Sequence, residues 1–406
     1  MRIRLLTTAA ALLLGATLVV GAVPAVRWTI FPPAEDRLIP ELPFTKVHVD
    51  WTEPLHVWGK GIGDIDGDGD VDLIAGGWEA GGLAWYENPS WRRRQIAEGQ
   101  EYSTDIETCD VDRDGDVDVI SVRGKAITWY ENPRWTPHDI AAVMVHDIEV
   151  VDLDGDGDCD VAGRGQTEFN DNGHLVLLYE QVTPTEWRAS SIPVPNGEGL
   201  RAADLDGDGD PDIVINQSWL ENTGRGEWPR HTITTAWTHD DAYVDVGDID
   251  GDGDLDVVHS PSELKGERYR VSWFEAPPNP CDSGWTEHVV VGDVEAVLHS
   301  LNVADFDGDG DADIATAEMT QGADPDEVRI HLNTNGRGTR WSSRLIGLGG
   351  SHGMRAVDID ADGDLDLFGG NWNGAGVHLY RNELSPRVRA ERASPPRPSG
   401  AAPRTG

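Results

Sequence analysis

Apolar and polar residues alternate over short runs along most of this chain, and the runs come in groups of four. In the first full group they are Gly61-Ile62-Gly63, Val71 to Ala75, Gly82 to Tyr86 and Trp91 to Ile96. Gly76-Gly77 and Glu87-Asn88-Pro89 interrupt them, so each run reads as a short strand ended by turn-forming residues. The second group repeats the arrangement, with Trp129-Tyr130-Glu131-Asn132-Pro133 followed by Trp135 to Ile140. Weaker copies stand at Trp219-Leu220-Glu221-Asn222, Trp273-Phe274-Glu275 and Leu379-Tyr380-Arg381-Asn382. No segment carries the 3.6-residue period of an amphipathic helix. Four short strands in each unit of 42–57 residues predict an all-β chain, a seven-bladed β-propeller over residues 43–384. The seventh unit has no fourth strand after Asn382. Phe44-Thr45-Lys46-Val47-His48-Val49 matches the pattern of Trp285-Thr286-Glu287-His288-Val289-Val290, so the N-terminal segment is expected to supply that strand and close the ring.

Between the first and second strands of every unit stands a nine-residue loop with Asp at positions one, three, five, seven and nine and Gly at position six. Five carboxylates this close repel strongly unless a cation neutralises them. Calcium takes six to eight oxygens, and the mid-loop Gly permits the sharp turn that gathers them. The expected ligands at position one are Asp64, Asp110, Asp152, Asp204, Asp248, Asp305 and Asp358. At position three they are Asp66, Asp112, Asp154, Asp206, Asp250, Asp307 and Asp360. At position five they are Asp68, Asp114, Asp156, Asp208, Asp252, Asp309 and Asp362, and at position nine Asp72, Asp118, Asp160, Asp212, Asp256, Asp313 and Asp366. Position seven, as in Asp70, is expected to offer its carbonyl. An EF-hand needs a bidentate Glu at position twelve and flanking helices. Ala75, Ser121, Gly163, Ile215, His259, Thr316 and Gly369 stand there instead, between strands. Up to seven calcium ions (Ca2+) are therefore expected.

The net charge of −41 argues against nucleic acid and anionic membrane surfaces as partners. Five acids in each of seven loops account for 35 of the 73 acidic residues, so most of the acidity belongs to sites rather than to a disordered tail. Three cysteines, Cys109, Cys159 and Cys281, form no CxxC pattern. Cys109 and Cys159 adjoin neighbouring copies of the loop, and both a disulfide between them and two buried thiols agree with that placement.

These loops and strands resemble the FG-GAP, or VCBS, repeat family, the integrin α-subunit propeller in particular. The resemblance covers Phe44 to Asn382 and implies calcium held on one face by the Asp residues at positions one, three, five and nine. Gly76-Gly77-Trp78 and Phe368-Gly369-Gly370 depart from the family's Phe-Gly and Gly-Ala-Pro signatures, and integrin-type partner binding does not carry over. Similar repeats build extracellular carbohydrate-active proteins, including rhamnogalacturonan lyases and aldos-2-ulose dehydratases.

Met1-Arg2-Ile3-Arg4 and the apolar run from Leu5 to Val23 read as a signal peptide over residues 1–25, with Val23-Pro24-Ala25 at the cleavage point. The alternative is an uncleaved membrane anchor. Residues 26–42 read as a linker. Residues 385–406, with five Pro, five Arg and a single Glu, read as a disordered tail. A secreted, monomeric protein follows from this reading.

If the loops cap one face, the residues that begin each innermost strand surround the central channel at the other. Six residues before the first loop Asp stand His146, His299 and His352; three before it stand Gly61, Glu107, Glu149, Arg201, Asp245, Asn302 and Arg355. His146, His299, His352, Arg201, Arg355 and Glu149 are the candidate site residues, because imidazoles exchange protons near neutral pH and Arg clamps carboxylates. His239, beside Asp240 and Asp241, reads as a solvated loop residue. The leading expectation is a non-catalytic extracellular binding module for polysaccharide or a cell-surface protein, with Trp78, Trp91 and Trp372 available to stack on sugars. A lyase or dehydratase using the His/Arg set, and a passive scaffold, are the competing readings.

Overall fold

The computed structural model describes residues 42–168, 171–323, 325–373 and 375–384. The expected leader, the tail and nearly all of the linker lie outside the described residues. Every regular element among those described is a β-strand. The strands build seven four-stranded antiparallel blades, five of them separate sheets. In the second blade, for example, Tyr102–Cys109, Asp118–Arg123, Ala126–Glu131 and Thr136–Ala141 lie side by side.

The first and seventh blades share one long strand, Phe44–Gly63. Its first half pairs with Ala375–Asn382 of blade seven, Phe44 opposite Asn382 and Val47 opposite Leu379. Its second half pairs with Asp72–Ala80 of blade one, Gly59 opposite Gly76. The expected closure is present, and the closing strand runs on into the innermost strand of the next blade. The first strands of successive blades touch one another all the way round, including blade seven against blade one.

The core lies between blades. Each apolar cluster joins neighbours, such as Ile120, Val122 and Trp129 of blade two with Val145, Ile148 and Val161 of blade three. Second strands are consequently covered on both faces: Asp118 to Val122 are all buried. Position two of every Asp loop, from Ile65 and Val111 to Phe306 and Ile359, is a buried apolar residue that plugs the loop into a seam. Cys109 and Cys159 form a disulfide that ties blade two to blade three, and Cys281 is a free thiol.

The residue at the end of each third strand, Asn in five blades and Gln181 in a sixth, does more than end it. Asn132 Nδ2 donates to the carbonyl of Ile65 in the preceding blade's loop (2.8 Å) and to Val117 O in its own (3.0 Å). Asn88 reaches Ile359 across the closure, Gln181 reaches Val111, Asn222 reaches Leu153, Asn333 reaches Ile249 and Asn382 reaches Phe306, all at 2.7–2.9 Å. Blade five carries Ala276 at this place, so the seam between blades four and five lacks the side-chain clasp. We expect Asn132→Ala, which strands the buried carbonyl of Ile65 and the half-buried one of Val117, to cost about 1–3 kcal/mol in urea unfolding. A change below about 0.5 kcal/mol, the scale of an ordinary surface substitution, would show that the clasp does not hold the seam.

Candidate functional site

The seven Asp loops are built alike down to single hydrogen bonds. The first Asp accepts the N–H of the position-six Gly at 2.9–3.1 Å in every loop, from Gly69 on Asp64 to Gly363 on Asp358. Those glycines have φ between 87° and 99°, the left-handed region that a side chain disfavours. The ninth Asp is buried and accepts two N–H groups. In the first loop Ile65 donates to Asp72 Oδ2 (3.0 Å) and Asn88 to Oδ1 (2.8 Å), and the pattern recurs through to Asp366 with Ile359 and Asn382. Side-chain oxygens of Asp64, Asp66 and Asp72 gather within 4.8 Å of one another, as do those of Asp110, Asp112 and Asp114. Asp64 Oδ1 is buried without a donor. An all-oxygen set with a lone pair left facing inward fits a hard divalent cation. In the seventh loop Arg381 pairs with Asp360, a cation already beside one expected ligand.

Burial lifts the ninth Asp against the pull of its two donors. Asp72, Asp118, Asp160 and Asp366 are raised to about 6, and Asp212 and Asp256 to about 7, with the neighbouring loop carboxylates adding to the shift.

At the opposite end of the first strands, His146, His299 and His352 meet. All three are buried, with ring nitrogens within 4.8 Å of one another. His299 and His352 stack at 4.0 Å between centroids, and His146 lies 5.1 Å from His299. Pairing irregularities explain how they reach the channel. Leu298 and Ser300 pair with adjacent residues, Glu318 and Ala317, so His299 is the extra residue of a bulge, and His146 sits in a similar irregularity before Ile148. Glu198 joins them, 3.4 Å from His146 Nε2 and 3.5 Å from His299 Nε2, and Glu263 lies 3.6 Å from His299. Glu263 has φ 68°, a conformation that non-glycine residues keep mainly where function or packing demands it. Burial opposes charge on His146, but Asp147 at 3.0 Å and Glu198 outweigh it and raise the imidazole to about 10. Burial and the neighbouring His299 and Lys60 hold His352 well below its usual value.

The arginines stand apart from the histidines and are already engaged. Arg201 pairs with Glu149 (2.7 Å) and Asp245 (3.3 Å); Arg355 pairs with Asp105 and with Glu107 (2.5 Å). One guanidinium cannot neutralise two buried carboxylates, and burial lifts Glu107 to about 8 despite Arg355. Arg355, of blade seven, donates to Lys60 O in blade one (3.2 Å) on its way to Asp105 and Glu107 in blade two. Lys60 is buried among three carbonyls, those of Val57, Trp58 and Gly370.

Trp58 stacks on Trp78 at 4.8 Å, meets Trp372 edge-on at 6.1 Å and lies parallel to His352 at 5.7 Å. All three tryptophans are half-buried. Trp91 is not part of this group: it packs against Ile359 and Pro89 beside the Asp loops. His239 is buried against Tyr269 at 4.1 Å, not solvated, because Trp237 and Tyr269 close over its strand start. Sequence reasoning missed Trp58, Glu198, Asp105 and Asp147. Trp58 and Glu198 occupy the same place, six before the first loop Asp, as the three histidines. Asp105 and Asp147 lie two residues before Glu107 and Glu149, on the same strand face.

The FG-GAP-like repeat family matches residues 64–121, 152–215 and 305–369. The chain is a seven-bladed propeller that carries FG-GAP-like repeats in three places. Among solved structures, this propeller is similar to an Agrocybe aegerita lectin that recognises non-reducing terminal N-acetylglucosamine, at 18% identity and TM-score 0.50, over 77% of this chain and 90% of the lectin. It is also similar to the rhamnogalacturonan lyase YesW (13%, TM-score 0.50, 84% and 76% covered). A third likeness is to BBS1N, solved in complex with ARL6DN (12%, TM-score 0.54, 85% and 99% covered). At these identities the likeness is one of fold. No curated protein matches the chain significantly.

The raised ninth Asp sets the sign of a pH effect. Its folded value lies above that of an unfolded Asp, so the folded chain holds more protons between about pH 4 and pH 7, and stability falls as pH rises through that window. In chelator, the melting temperature is expected to drop from pH 4.5 to pH 7.5. A melting temperature that climbs with pH in chelator would contradict it.

Proposed function

We propose that this FG-GAP propeller is an exported, calcium-stabilised binding module for a neutral glycan, received at the channel mouth opposite the Asp loops. The observation that carries the reading is the half-buried group of Trp58, Trp78 and Trp372 around a polar floor of His352, His299 and Glu198. Aromatic faces stack on the apolar faces of sugars, and the carboxylates and imidazoles accept and donate to hydroxyls. The surroundings favour a neutral ligand, since Asp105, Glu107, Asp147, Glu149, Glu198 and Asp245 outnumber the arginines. Calcium in the loops would remove the repulsion among their carboxylates. The Cys109–Cys159 bridge and the apolar N-terminal run agree with an oxidising, extracellular destination.

A lyase or dehydratase acting on acidic sugars has the three histidines in its favour. It lacks a free clamp for the substrate carboxylate, because Arg201 and Arg355 each already hold two acids.

The calcium-loaded protein is expected to be retained on one or more neutral polysaccharides, and Trp58→Ala and Trp372→Ala to weaken that retention about tenfold or more. Unchanged binding in both variants would remove the site from the mouth. Release of unsaturated uronate from an acidic polymer would replace the binding module by the lyase. Chelation is expected to lower the melting temperature by roughly 10 °C or more, since each site filled a hundredfold above its Kd stabilises by about 2.7 kcal/mol. A melt indifferent to chelator would end the calcium assignment.

A further inference from the structure

We infer that His146, His299 and His352 form a binding site for one divalent transition-metal ion of the zinc type, separate from the Asp loops and beneath the tryptophans. Three imidazoles are buried together on three different blades, with ring nitrogens no more than 4.8 Å apart. Neither ring nitrogen of His299 has a hydrogen-bond partner, and neither does Nδ1 of His352. A buried polar atom left unmet costs about 1–3 kcal/mol. Glu198 and Glu263 lie 3.5 and 3.6 Å from His299 Nε2, beyond the length of a good hydrogen bond, and no protein group meets Nδ1 of His299 or of His352.

The alternatives to a metal are unfavourable. Protonating all three rings would bury like charges side by side. Ordinary packing would not direct three acceptors to one point while Leu or Phe serves elsewhere in the seams. Imidazole nitrogen selects zinc-type ions over calcium, whose ligands are oxygens, so the two metal classes sort themselves between the two ends of the propeller. A tetrahedral ion with nitrogens at about 2.0–2.1 Å needs them roughly 3.3–3.5 Å apart, a rotation of each ring by less than about an ångström from where it stands.

The outer contacts also suit a ligand set. Asp147 Oδ1 lies 3.0 Å from His146 Nδ1, a carboxylate beside the ring like those that orient metal-bound imidazoles. Glu198 lies 3.4 Å and 3.5 Å from two of the rings and stands ready as the fourth ligand or as the acceptor of a bound water's proton. Trp58 lies over His352, 5.7 Å between ring centroids, so the cluster adjoins the group of tryptophans.

The test is a cobalt titration of the full chain after chelation and return to excess calcium, followed by visible absorption and by competition with zinc. One cobalt per chain is expected, with the absorption of four-coordinate nitrogen–oxygen ligation. His352→Ala should weaken binding by 100-fold or more, and Asp147→Asn by about 10-fold. His259→Ala, which changes a buried imidazole outside the cluster, should bind as wild type. A calcium-dependent melt equal to wild type identifies the variants that fold, and His299→Gln provides a second ligand change should His352→Ala fail that criterion. Cobalt bound equally by both ligand variants would overturn the site, as would no binding at micromolar metal. A signal that survives His352→Ala and vanishes in Cys281→Ser would place the ion at Glu221, His231 and Cys281 and overturn it as well. None of these readouts involves a glycan, so the metal site stands or falls independently of the binding-module reading.

Discussion

The propeller depends on one hydrogen-bonded carboxylate repeated seven times. The ninth Asp of each loop is buried, and its two oxygens hold the start of its own loop and the end of its own third strand. The side chain at that strand end then reaches the preceding blade's loop in six of the seven blades. Loop, blade and neighbour are thus held through a single buried charge. Such a charge is costly to leave in a protein interior unless donors or a cation compensate it, which links the architecture of the ring to its ionic surroundings.

The two ends of the channel solve the problem of crowded charge differently. At the loop end, oxygens converge with few cations nearby. In the channel, acids are interleaved with Arg201, Arg355 and His146, so that positive groups are shared among more numerous carboxylates. The middle of the channel is consequently filled with ion pairs. Above them Trp58, Trp78 and Trp372 leave part of their faces open.

Much of this was legible in the sequence because it is periodic. Asp at alternate positions, Gly at position six and four strands per unit survive translation from blade to blade, and so did the pairing of Phe44–Val49 with the last blade. What escaped notice depends on contacts distant in sequence. Asn132 reads locally as a strand terminator; its partner Ile65 lies 67 residues earlier. Arg355 reads as a free clamp until the fold brings Asp105, 250 residues away, to its side. The bulges that turn His146 and His299 inward have no composition of their own. Trp58 and Glu198 were findable by aligning every blade, not only those with histidine, at one register position.

The shared strand also decides how the molecule carries load. Phe44 lies opposite Asn382, and Glu383 N–H donates to Pro43 O at 3.1 Å, so the described chain enters and leaves the propeller side by side. Force drawn through both ends would meet those backbone pairs in sequence, like the teeth of a zipper, and open the outer edge of blade seven while the other six blades stayed unloaded. Force drawn through one end and a ligand at the channel mouth would instead be spread across blade faces. A propeller joined in this way is a firm grip when held by one terminus and a weak link when strung between two.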